Sequence, residues 1–87
     1  MDLQLPAVVT VERVGELLAP LREAARDGAL AIDAAALTEF DTAALALLLE
    51  GRRLATAQGI GFEVRGAPAP LLELARLYGV DGLLSLT

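Results

Sequence analysis

The sequence predicts an α/β domain with a mainly parallel central sheet of about four strands and three main helices. Three observations predict it. Short apolar runs alternate with segments of helical spacing along the chain. Glycines close the helical segments at Gly28, Gly59 and Gly79. The chain is 55% hydrophobic with only Phe40, Phe62 and Tyr78 as aromatics, so its core must come from Leu, Val, Ile and Ala. At 87 residues, positions 1–87 are expected to form one small domain.

Residues 3–9 are apolar but interrupted by Pro6, which suits one or two short edge-strand pieces, since proline cannot donate to a ladder. Thr10 is then a candidate helix cap. Val14, Leu17, Leu18, Leu21 and Ala25 follow helical spacing, with Pro20 expected to kink or delay that helix. Residues 29–33 read as a buried parallel strand, and residues 34–41 as a connection. From Thr42 to about Gln58 the chain reads as its longest helix, ended by Gly59. Residues 61–65 form another strand. Pro70 suits the first turn of a third helix, whose Leu71, Leu74, Ala75 and Tyr78 are expected to share one buried stripe. Residues 80–86 are an apolar tail, read as a final turn or strand.

Composition removes most chemistries. There is no Cys, no His and no Lys, which excludes thiol and imidazole catalysis, Cys/His zinc sites, Schiff bases and a P-loop lysine. The acidic residues show no cation-ligand spacing, so neither a metal nor a cofactor is expected. All seven basic residues are scattered arginines in a chain of net charge −5, the opposite of a nucleic-acid footprint. The start lacks a basic region, and the longest apolar run, residues 43–49, is too short for a bilayer. A soluble cytoplasmic protein without enzymatic activity is the expectation.

The informative segment is Ala29-Leu-Ala-Ile-Asp33, then Leu37-Thr-Glu-Phe-Asp41, Thr42 and a leucine-rich helix. A buried strand ends in Asp, and a short loop leads to Asp41–Thr42 at a helix start. On these residues the chain resembles the STAS family, the domain of anti-sigma factor antagonists and of MlaB-type lipid-transport proteins. The resemblance covers nearly the whole chain, including the Gly59 turn, the Gly66 exit and the closing Leu74-Ala-Arg-Leu-Tyr-Gly-Val80. That segment and Leu48-Leu-Glu-Gly-Arg-Arg-Leu54 look closer to MlaB-like proteins. Ala44 stands where many members carry Gly, which bears on how closely a partner can approach.

Read by residue chemistry alone, Thr42 is an ordinary N-cap contributing about 1 kcal/mol. A phosphate there would meet a positive helix end, opposed by the like charge of Asp41. The resemblance implies more. In anti-sigma antagonists the matching hydroxyl is phosphorylated by a partner kinase, which disrupts the complex. In MlaB-like proteins it implies contact with the cytoplasmic ATPase subunit of a phospholipid ABC transporter.

Helical spacing turns Ala44, Leu47, Leu48, Gly51 and Leu54 inward. It leaves Ala43, Ala46, Glu50 and Arg53 outward, with Leu45 and Leu49 on the flanks. Helix formers filling a surface would give the same pattern; small residues beside leucines also suit a packed interface. The expected partner surface is therefore Phe40, Asp41, Thr42, Ala43, Ala46, Leu49, Glu50 and Arg53, with Thr42 the phosphorylation candidate. Direct nucleotide binding ranks below both protein partners, because a glycine-rich phosphate loop is absent. Gly59-Ile-Gly61 follows a helix instead of preceding one, so it reads as a turn. Asp33 and Asp41 read as loop-capping residues, Arg52–Arg53 as a helix-end pair complementing the dipole, and Tyr78 as the anchor of the third helix.

Overall fold

The computed structural model describes residues 2–26 and 28–84. Its elements are β1 (Asp2–Gln4), β2 (Val8–Val9), a 3-10 turn (Val14–Leu17), α1 (Leu18–Ala24), β3 (Leu30–Asp33), β4 (Glu39–Phe40), α2 (Thr42–Gln58), β5 (Phe62–Arg65) and α3 (Ala69–Leu77). The α/β class, the parallel sheet and the three α-helices are as the sequence predicts.

The strands divide differently from the single sheet of about four expected. Three of them form a parallel sheet in the order β1-β3-β5, and β2 pairs in parallel with β4 as a separate ladder. Pro6 cannot continue the first ladder, so the chain leaves β3 after Leu5, whose N–H still donates to the Asp33 carbonyl at 2.9 Å. The freed segment meets residues 38–40, where Thr38 and Glu39 donate to the Ala7 carbonyl. The stretch read as a plain connection therefore contains β4, which is too short for periodicity to reveal.

The order β1-β3-β5 advances in one direction. Right-handed crossovers then place α1 and α2 on the same side of the sheet. Leu30, Ile32, Phe62 and Val64 alternate toward that side. The opposite side carries Asp2, Gln4, Asp33, Glu63 and Arg65, where Arg65 pairs with Asp2 at 3.0 Å and with Glu63 at 2.7 Å. An all-parallel sheet usually buries both faces; this one leaves a charged face in water.

Leu21, Leu30, Ile32, Leu47, Leu48 and Leu71 are fully buried between sheet and helices. Gly51 sits where α2 approaches the sheet most closely. A Cβ there would lie 3.1 Å from both Ile32 Cδ1 and Phe62 Cε1 and 3.3 Å from Leu21 Cδ1. The glycine costs helix propensity and gains a tight helix–sheet contact.

Pro20 lies in the first turn of α1, where its missing N–H is no loss. The 3-10 turn occupies the residues before it, so the proline delays the helix as expected. Thr10 does not cap it. Its hydroxyl bonds Glu12 Oε2 at 3.2 Å, while its carbonyl accepts the Arg13 and Val14 N–H groups.

α2 and α3 end in the same way. Gly59 and Gly79, at φ 68° and 70°, reverse the chain so that Ile60 donates to Ala55 and Val80 to Ala75, closing each helix with a Schellman motif. This geometry corrects the reading of Tyr78. Leu71 and Ala75 are buried and Leu74 is half-buried, whereas Tyr78 is 58% exposed. It stands just past the last residue of α3, where the chain turns away, so its ring leaves the buried stripe instead of anchoring it. Beyond it, residues 81–84 make a turn that buries Leu84 against the core; the end of the tail, residues 85–87, lies outside the described residues.

Candidate functional site

β4 delivers the chain to the start of α2 through Phe40 and Asp41, both half-buried. Asp41 is the N-cap, not Thr42. Its backbone is extended, its Oδ1 accepts the Ala43 N–H at 2.8 Å, and its carbonyl accepts the Ala44 N–H at 3.1 Å. A carboxylate one residue earlier reaches the N2 amide and suits the positive helix end better than a hydroxyl does. The other oxygen, Oδ2, accepts the Val11 N–H at 3.1 Å. Asp41 thereby ties the turn after β2 to the helix start. Asp33 has a matching local role, its Oδ1 accepting the Ala35 N–H at 2.9 Å.

Thr42 is thereby released from capping. It is the first residue of α2, it is exposed, and its hydroxyl bonds no other described residue. Next to it Ala43 is half-buried, Ala46 exposed and Leu49 half-buried. Leu45, read as a flank, is only 4% exposed and belongs to the core cluster.

Further along, Glu50 and Arg53 pair through two bonds, Nε to Oε1 at 2.8 Å and Nη2 to Oε2 at 2.7 Å. The Arg53 bond holds the Glu50 carboxyl below its ordinary range, outweighing the small opposing effect of burial. The same contact raises Arg53. Arg53 is thus committed to a neighbour one turn away. It stands mid-helix, as Arg52 does, so neither completes the dipole at the helix end.

Thr42, Leu45, Ala46 and Leu49 form one wall of an open groove of about 350 Å³, with Tyr78 and Val80 opposite. Three of the eight residues expected on the partner surface line this groove: Thr42, Ala46 and Leu49. Glu50 and Arg53 continue along the outer face of α2. Tyr78, Val80 and Leu45 were not among the residues expected on the partner surface. A signal did exist for Tyr78, since a residue directly before a helix-ending glycine occupies the cap, where side chains swing off the helical stripe.

A family model described as Mlab, STAS domain matches residues 1–85. The chain belongs to this STAS family. Membership makes the domain a STAS-type interaction module, a class generally without enzymatic activity. No curated protein matches the chain closely enough to count as a relative. Among the described residues, no group of three acidic side chains could hold a metal ion. Among them, too, no helix is long and apolar enough to cross a membrane.

Proposed function

We propose that this STAS domain binds and regulates the ATPase subunit of a phospholipid ABC transporter at the cytoplasmic face of the membrane. The contact is the Thr42 end of α2. One observation carries the reading: Asp41 performs the capping, which leaves an exposed, uncommitted Thr42 hydroxyl at the mouth of an apolar groove. A threonine retained only as a cap would be engaged with the helix amides. The Mlab description of the family supports the transporter over other partners.

Co-purification with the nucleotide-binding subunit tests this. The wild-type domain is expected to form a stable complex, which Thr42→Glu disrupts and Thr42→Ser retains. Absence of a complex with any candidate ATPase, or a complex indifferent to Thr42→Glu, removes the proposal.

The exposed hydroxyl also favours a second reading, an anti-sigma factor antagonist phosphorylated at Thr42 by a kinase. Incubation with kinase and ATP followed by mass spectrometry decides it. A chain that gains no phosphate at residue 42 rules it out.

A further inference from the structure

The three-stranded sheet has two open edges, and one of them matches itself. β5 pairs with β3 on one side, and among the described residues no strand pairs with its other side. The direction of its free backbone groups follows from the ladder. The carbonyls of Gly61 and Arg65 accept the Leu30 and Ala34 N–H groups at 2.8 Å, so residues 61, 63 and 65 turn their backbone groups toward β3. Phe62 and Val64 turn theirs outward. On the helix side of the sheet, Leu30 and Ile32 are fully buried, whereas Phe62 and Val64 are half-buried. The edge therefore presents backbone donors and acceptors together with incompletely covered apolar side chains.

A second strand must exchange bonds with Phe62 or Val64, because only they face outward. For two antiparallel copies of β5 this limits where the two-fold axis can lie. An axis at residue 63 sets Glu63 opposite Glu63 of the second copy, and an axis at residue 65 sets Arg65 opposite Arg65. Like charges directly opposite disfavour both. An axis at Phe62 sets Glu63 opposite Gly61 and forms no ion pair. An axis at Val64 lets the two Val64 residues exchange both backbone bonds, and Glu63 then lies opposite Arg65 on either side of the axis. Those opposed residues form a non-hydrogen-bonded pair, about 4.5 Å apart between Cα atoms, where side chains approach most closely. Glu63 already bonds Arg65 of its own strand at 2.7 Å, so the four groups alternate in sign around the axis. We infer that β5 pairs antiparallel with β5 of a second copy about Val64, joining two three-stranded sheets into one. β1, the other edge, has no such match: Asp2 and Gln4 lie on its charged face, and Pro6 ends its ladder. The contact is short, so the association is weak and reversible. It uses no residue of the Thr42 surface and stands apart from the docking proposal.

Sedimentation velocity and amide NMR on the domain at concentrations up to about 1 mM test this. The wild type is expected to associate as concentration rises, with the Val64 amide gaining protection from exchange. Glu63→Arg and Arg65→Glu each set like charges opposite on both sides of the axis. Either should weaken self-association about tenfold or more. Mixing the two variants restores both ion pairs, so they should associate with each other more tightly than either does with itself. Arg26→Glu, the same change of charge on α1, should leave self-association unchanged. Val64→Pro removes the outward N–H while sparing the ladder to β3, and should abolish association in a domain with native circular dichroism. A wild type that stays monomeric at that concentration would overturn the inference. So would single variants that associate like wild type, or a mixture that associates no better than its components.

Discussion

Along α2, Leu47, Leu48 and Gly51 press against the sheet, while Ala46 and Glu50, each directly before one of them in sequence, turn outward. Composition separates the two faces poorly, because alanine and leucine occur on both. What separates them is what lies opposite. At Gly51 the inner face lies so close to Ile32, Phe62 and Leu21 that a Cβ would come within 3.1–3.3 Å of their side chains. Among the described residues, the outer face meets Tyr78 and Val80 across an open groove. An apolar helix face without a close neighbour is unused for stability and available for a partner.

The largest expected effect breaks the inner face. Leu48 is fully buried, and Leu48→Ala leaves a cavity in a packed core. The loss should be about 2–5 kcal/mol, a large share of the stability of so small a domain. Ala46→Ser, two residues away on the exposed side, should change stability by about 0.5 kcal/mol or less. Thermal and urea denaturation of both variants measure the contrast. Similar losses in the two would mean that the outer face is packed after all.

The inner face was legible in the sequence and the groove was not, for a physical reason. Ala44, Leu47, Leu48 and Gly51 follow from the 3.6-residue period, because burial against one's own sheet is imposed on every turn of the helix. The groove depends on where α3 stops. Tyr78 fits the i+7 position of a buried stripe, and only the glycine after it signals that the stripe has ended. The two-residue strand β4 was equally hidden, since its pairing with β2 follows from Pro6 ending the first ladder and not from any pattern within it. Assignment of the cap turned on a single residue. Asp and Thr are both good N-caps, and adjacent candidates are separated only by which one the backbone leaves extended.

That neighbouring pair gives the intermediate effect. Asp41→Ala removes the bond to Ala43 and the tie to Val11. A cap alone is worth about 0.5–2 kcal/mol, and the second bond places the loss toward the upper part of that range. Thr42→Ala removes no described hydrogen bond and should cost about 0.5 kcal/mol or less. Binding should rank the other way for side-chain contacts, with Thr42 variants weakening a complex at unchanged stability. Denaturation midpoints and complex formation, measured on the same two proteins, separate the roles. A Thr42→Ala variant as unstable as Asp41→Ala would restore Thr42 as the cap.

The smallest effect concerns Glu50 on the outer face. Its carboxyl is lowered from the ordinary value of about 4.3, chiefly by the bond from Arg53. A depressed folded value means the pair contributes above the unfolded pKa and stops contributing as pH falls through the folded one. Glu50→Gln should therefore melt slightly below wild type at neutral pH, with the gap closing in acid below about pH 4. The pair is solvent-accessible, so added salt should narrow the gap as well. A gap that widens in acid would show that Glu50 is not the charged partner of Arg53. The same substitution sharpens the comparison between the faces. It releases Arg53 on the outer face while the inner face, and with it nearly all of the stability, is untouched, so a change in partner binding by Glu50→Gln reports the outer face alone.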